Sequence, residues 1–239
     1  MGRQNILAVI PVSGQDPEFK RGLPRLNNRS LLGYTFDAVR SSKLVGRTIV
    51  WTDDQRVARA SRRAGIEVPI VRPRRRRRSS MAELLGDAVD HLERAERDYR
   101  PKWIVRLQVT FPFRPDDFID RAIRTVIAKK LDSAFVALPE FDTFWHLGSH
   151  GTPERLTTDT RVPRANRDPI YRELGGLFSM VRRSVLARGL LYGDRLGIIQ
   201  TESLIEAVDL HSIQGFELAR MVGGVMDGRK RRRSNRRVI

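Results

Sequence analysis

Cysteine is absent from the 239 residues, which excludes disulfides, thiolate nucleophiles and cysteine-ligated zinc. That absence fits a cytoplasmic protein. No run of ~18 apolar residues occurs, so no membrane-spanning helix is expected. The opening "MGRQNILAVIPV" lacks the charged region, long apolar region and small-residue cleavage site of a signal peptide, and its apolar run reads instead as a first strand. Aromatic residues are few, at 7%, but hydrophobic residues make up 40%. The length suits one α/β domain with a full core. Acidic residues are also in short supply, 28 against 45 Lys and Arg, for a net charge of +17.

Most of that excess sits in two runs. Arg74 to Arg78 are five consecutive arginines, and "RKRRRSNRR" (229–237) adds seven basic residues. A terminal basic run reads as a solvated tail or as a non-specific contact with a polyanion. The boundaries follow: a domain over 1–227 and a basic tail over 228–239. The internal run follows "VRP" beside a predicted loop, where it would concentrate an anionic substrate.

Apolar segments of strand length recur: "ILAVIPV", "RTIVWT", "EVPIVRP", "WIVRLQV", "SAFVALP" and "GGLFSMV". Helical patterns separate several of them. "LLGYTFDAVRSS" is one, and "DQRVARASRRAG" closes on Gly65 at a C-cap position. "SSMAELLGDAVDHLERAERD" and "RPDDFIDRAIRTVIAKK" follow, and "SIQGFELARMVGGVM" ends the fold. Strands alternating with helices predict a mostly parallel sheet covered on both faces. Residues 140–172 lose periodicity and read as an arm beyond the sheet. Ligands bind outside the carboxyl ends of strands in such sheets. The loops at 11–25, 72–80 and 108–114 are therefore the expected site.

The motifs alone are weak. The first loop is neither a Walker A loop nor a dinucleotide fingerprint. Its Lys20, Arg21 and Arg25 would grip phosphates through charge, or simply lie on a surface. Asp53 and Asp54 end a strand before a helix, as metal or base residues or as a helix cap. Asp209 and His211 lie two apart on an extended segment and so share a face. They could hold a divalent ion at a phosphate, or their pairing is chance.

Four stretches in order carry a resemblance: "NNRSLLGYTFDAV", "TIVWTDDQRVARASRRAGIEVPIVRP", "LQVTFPFR" and "PRANRDPIYRELGGLF". Together they resemble the CMP-sialic acid synthetase family, the cytidylyltransferases of acylneuraminates and other nonulosonic acids. The likeness spans roughly residues 5–222. It implies a Rossmann-like nucleotidyltransferase fold, a three-layer α/β sandwich with a small dimerisation arm. It also implies CMP transfer from CTP to a sialic-acid-like acid, with pyrophosphate release and a magnesium or manganese ion. The partners implied are CTP, an acidic sugar and a second copy of the chain, with no membrane.

By position the resemblance places nucleotide contacts at Pro11, Ser13, Lys20, Arg21, Arg72 and Ser80. It places acid contacts at Gln108, Arg164 and Arg172, and metal ligands at Asp209 and His211. Arg21 and Asp209 are the implied catalytic residues. The chain departs from the family pattern at Val12, where the family has an arginine. It also departs at Gly22 and Leu174, where the family has asparagines, and near Ser79, where the family has an acidic residue. His211 stands for an aspartate, a change away from magnesium's preference for oxygen. These departures leave two alternatives: a nucleotidyltransferase with another acid or nucleotide, or a non-catalytic homologue that binds nucleotide or polyanion.

Overall fold

The computed structural model describes residues 5–20, 22–73, 79–156, 162–212 and 214–224. Arg21, Arg74 to Arg78 and the 228–239 tail lie outside the described residues. All seven residues of β1 (Ile6–Val12) are buried, the signature of a strand covered on both faces. Its side chains alternate between two cores. Ile6, Ala8, Ile10 and Val12 join one, while Leu7 and Val9 join the other.

The remaining elements are β2 (Arg25–Leu26), β3 (Arg29–Ser30), α1 (Leu31–Ser41), β4 (Arg47–Thr52), α2 (Gln55–Arg63), α3 (Met81–Ala95), β5 (Trp103–Arg106) and α4 (Phe118–Ala128). Then come β6 (Ser133–Glu140), β7 (Trp145–Leu147), β8 (Pro153–Arg155), β9 (Ile170–Glu173), β10 (Ser179–Arg182), α5 (Arg183–Leu186) and β11 (Leu196–Gln200). A last helix, α6, covers 214–224.

The main sheet has seven strands in the order β11-β6-β10-β5-β1-β4, with β9 also on β6. β4, β1, β5, β6 and β11 run one way, and β10 and β9 run against them. The first core holds Phe36 of α1, Val57 of α2 and Ile123 of α4. The second holds Leu85 and Leu92 of α3 and Leu186 of α5. Helices on both faces of a mainly parallel sheet make the expected three layers.

Two segments differ from their expected form. "EVPIVRP" forms only isolated bridges, Glu67 to Ile49 and Val71 to Thr52. Pro69 between them has no N–H to donate to a ladder. β11 was not anticipated: it is short and flanked by polar residues. Its Leu196 and Ile198 stay exposed at the sheet edge, so burial imposes little pattern on it.

Between β6 and β9 the chain leaves the sheet. β7 and β8 pair only with each other among the described residues. Trp145 is 54% exposed and Leu147 69%. This hairpin occupies the segment expected as an arm.

Two helix starts fix the site. Asp54 caps α2 by accepting from the backbone N–H of Arg56 and Val57. Ser80 caps α3 through a full capping box with Glu83. Each cap contributes about 1 kcal/mol. A third cluster (Leu26, Leu31, Phe113, Val208, Leu210, Ala219) pins the 208–210 segment and α6 against the start of α1. Val208 and Leu210 are buried, while Asp209 is half-buried and His211 exposed, and the chain turns at 210–211 instead of forming the extended segment expected.

Candidate active site

A cavity of about 230 Å³ opens at the carboxyl ends of β1, β4 and β5. Pro11, Val12, Ser13, Gln15 and Asp16 come from the first loop, and Asp53 from the end of β4. Arg72 follows the bridge at Val71, and Ser79, Met81 and Leu84 come from the start of α3. Gln108 follows β5, and His211 closes the rim. The chain moves outward from β1 to β4 and returns to β5 on the other side of β1. That reversal is the switch point where open α/β sheets bind ligands.

Asp53 organises the wall. Its side chain is 1% exposed. It accepts from the Gly14 N–H at 2.7 Å and from Ser13 Oγ at 3.1 Å, and Arg72 Nη2 lies 3.5 Å away. Ser13 N–H in turn donates to Asp16 Oδ2 at 3.0 Å. One buried carboxylate thus shapes the first loop and fixes the guanidinium of Arg72, which is 15% exposed. The Nε of Arg72 is buried with no hydrogen-bond partner among the described residues.

The two aspartates of "TDD" divide the expected roles. Asp54 caps the helix, and the Arg56 guanidinium beside it holds its carboxyl below the usual range, against the opposing effect of burial. Asp53 faces the cavity. The sequence signal was the pair itself, since a single helix start needs only one capping carboxylate.

Gln108 rests on a rigid support. Its N–H donates to the carbonyl of Gly176 at 2.8 Å. Behind it, buried Arg114 donates to the carbonyls of Gln108, Phe111, Gly176 and Leu177 and to Thr35 Oγ1. All five guanidinium N–H positions are used on neutral acceptors. Without a carboxylate partner among the described residues, burial lowers the Arg114 pKa to about 9. Sequence reasoning gave this residue no role, although it closes the "LQVTFPFR" stretch.

His211 Nδ1 lies 2.6 Å from Asp209 Oδ1. The Asp209 carboxylate raises the imidazole pKa, opposed by burial and aided by Asp16 and Glu18. Nδ1 and Oδ1 therefore satisfy each other rather than facing an ion. Among the described residues no group of three His, Asp or Glu could hold a metal ion. Asp209 Oδ2 remains as one carboxylate donor. Magnesium commonly takes one or two carboxylates and completes its shell with water and substrate phosphate; Asp209 would supply one, from beside the cavity and not from its wall.

The other expected site residues lie outside the cavity wall. Lys20 is exposed after the turn at Pro17–Phe19. The Ser80 hydroxyl is engaged in the α3 capping box, with Ser79 and Met81 facing the cavity instead. Arg164 pairs with Asp142 at 3.0 Å and Arg172 with Glu140 at 2.9 Å. Both are at least half exposed, and neither lines the cavity. Val12, 1% exposed, presents an apolar wall where the resembled family has an arginine. Leu174 is buried in the core.

A family model described as cytidylyltransferase matches residues 21–169, more than half of the chain. Solved structures share the fold over nearly the whole length. A 4-diphosphocytidyl-2C-methyl-D-erythritol synthase from Anaerococcus prevotii matches with a TM-score of 0.64 and 13% identity, over 92% of this chain and 99% of its own. A CMP:2-keto-3-deoxy-manno-octonic acid synthetase complexed with CTP matches at 0.64 and 14%, over 93% and 99%.

Proposed function

Because this chain belongs to the cytidylyltransferase family, we propose that it transfers CMP from CTP to an acidic α-keto sugar, a nonulosonic or sialic-acid-like acid, and releases pyrophosphate. The observation that carries this reading is the convergence on one cavity of Ser13, Arg72, Gln108 and His211 from four separate segments, with Asp209 behind His211 rather than on the cavity wall. A structural relative named as a CMP:2-keto-3-deoxy-manno-octonic acid synthetase supports the acid acceptor.

In this reading the acceptor hydroxyl oxygen attacks the α-phosphorus of CTP. The bond to the bridging oxygen breaks, pyrophosphate leaves, and the hydroxyl proton passes to solvent water. Such chemistry needs in-line placement and neutralisation of the leaving charge more than covalent help. Arg72, held by Asp53, supplies a fixed cation, and the start of α3 adds its positive dipole end. The first loop, shaped by Ser13 and Asp53, seats the triphosphate, with Lys20 and Arg21 adjoining it in sequence. Gln108 faces the acid. A divalent ion bound through Asp209 would add Lewis-acid stabilisation of the phosphate charge. The exposed β7–β8 hairpin would dock a second copy, with Arg164 serving the neighbouring site.

The test is pyrophosphate release from CTP, with magnesium or manganese, across sialic, legionaminic, pseudaminic and Kdo-type acids. Turnover with one acid that Asp209→Ala abolishes supports the reading. Turnover only with another nucleotide or a non-sugar acceptor would favour the altered-substrate alternative, which the apolar Val12 wall motivates.

A further inference from the structure

The wall under Gln108 is built more rigidly than an ordinary loop requires. β5 ends at Arg106, and the chain turns through Gln108 to Phe111 before Arg114 re-enters the interior. Opposite lies the turn Gly175–Gly176 that joins β9 to β10. Arg114 stitches the two together, donating to the Gln108 carbonyl at 2.6 Å, Gly176 at 2.9 Å and Leu177 at 2.8 Å. A second buried arginine, Arg106, donates to the Gly175 carbonyl at 3.0 Å. A third tie runs to α1, through Thr35 Oγ1 at 3.2 Å.

The glycine matters as much as the arginine. A Cβ built on Gly176 would overlap Gln108 Oε1 and the Phe111 ring edge. The Gln108 Oε1 therefore lies close over the bare Gly176 Cα, and a Cβ there would displace the carboxamide. Gly176 has no positive φ, so its requirement is the close approach and not backbone freedom.

We propose that Arg114 is a positioning residue which, with Gly176, holds the Gln108 carboxamide in one orientation on the cavity wall, and that this orientation sets affinity for the acceptor and not for the nucleotide. The second half rests on the reading of Gln108 given above; the first half stands on the geometry alone. A guanidinium suits the task because its fork serves five acceptors at once, whereas a lysine has three donors on one atom.

Gly176→Ala separates the parts, since it keeps Arg114 and its backbone acceptors while its Cβ displaces the Gln108 carboxamide and presses on the Phe111 ring edge. Orientation is read directly from the Gln108 carboxamide resonances, assigned by their loss in Gln108→Ala. In the wild type they form one sharp pair. Gly176→Ala and Arg114→Lys shift and broaden them while the backbone amide pattern elsewhere stays folded. Unchanged resonances in both variants overturn the proposal whether or not the protein turns over.

Acceptor affinity is read as KM for N-acetylneuraminic acid or 2-keto-3-deoxy-manno-octonic acid, and nucleotide affinity as CTP binding by calorimetry. Gly176→Ala raises acceptor KM about tenfold, as expected for loss of ~1.4 kcal/mol, and leaves CTP binding within twofold. In the Gln108→Ala background it adds nothing, because the two act through one group. An equal loss in both backgrounds, or an equal loss of CTP affinity, overturns the acceptor role. A wild type that binds CTP but uses neither acid tells against the proposed acceptor and, with it, this second half, while the resonance test decides the first.

Discussion

Replacing Asp53 by alanine should destabilise the protein and loosen the nucleotide loop together, because one carboxylate serves both. It accepts from the Gly14 N–H at 2.7 Å and the Ser13 hydroxyl at 3.1 Å, and it faces Arg72 at 3.5 Å. Hydrogen bonds to a charged group contribute ~1.5–3 kcal/mol each. Leaving a buried charge unpaired costs ~3–5 kcal/mol. The Arg72 contact is long and the guanidinium keeps a solvent edge, so that figure is reduced here, and contacts sharing one atom group do not add. The expected loss is about 3 kcal/mol, a large share of the ~5–15 kcal/mol of a typical domain.

With a urea m-value of ~3 kcal/mol/M, that loss lowers the unfolding midpoint by ~1 M. CTP affinity should fall about tenfold in calorimetry as the loop and Arg72 lose their anchor. Ser13→Ala removes only the hydroxyl and should cost about 1 kcal/mol. Asp53→Asn keeps the shape but turns an N–H toward Arg72 or Gly14, and should fall between the two. A midpoint shift in Asp53→Ala no larger than in Ser13→Ala would refute the assignment of Asp53 as the organising group.

Three further outcomes are expected. Arg72→Ala should weaken CTP binding 10–100-fold, the range of one charge-assisted contact, with the loss shrinking as salt is raised; a loss independent of salt would remove its phosphate role. Asp54→Ala should cost about 1 kcal/mol at neutral pH. The Asp54 pKa is depressed by folding, so its stabilisation is present above the ordinary value near 3.8 and is lost as pH falls through the folded value. The gap between wild-type and variant stability should therefore be full above about pH 3.8 and narrow as pH falls below it, and a gap that widens on acidification would contradict that. Trp145→Glu on the exposed hairpin should shift sedimentation toward monomer without changing the far-ultraviolet spectrum; an unchanged mass distribution would exclude the hairpin as the docking element.

Much of this was legible along the chain. Seven consecutive apolar residues in "ILAVIPV" read as a first strand, and the structure buries all seven because the sheet is covered on both faces there. The serine before "MAELL" and the glutamate three residues on announce the α3 capping box. The three expected loops do meet at one cavity, because parallel strands deliver all their carboxyl ends to one edge of the sheet. Strand order itself was not legible. Nothing in "GGLFSMV" says that β10 runs backwards between β5 and β6, because an apolar strand buried on both faces reads alike in either direction. β11 was missed because an exposed edge strand is not forced into alternation.

The sequence by itself determined the α/β class, the first strand, the helix starts and the neighbourhood of the site. Those follow from local chemistry: periodicity, capping side chains and the missing N–H of proline. The tertiary structure alone decided which carboxylate of "TDD" faces the cavity, why Gly176 must be glycine, and that Arg114 is a buried hub and not a surface base. It also directed the Asp209 Oδ1 to His211. All but the last depend on groups far apart in the chain being brought into contact, and such contacts are set by how the layers pack.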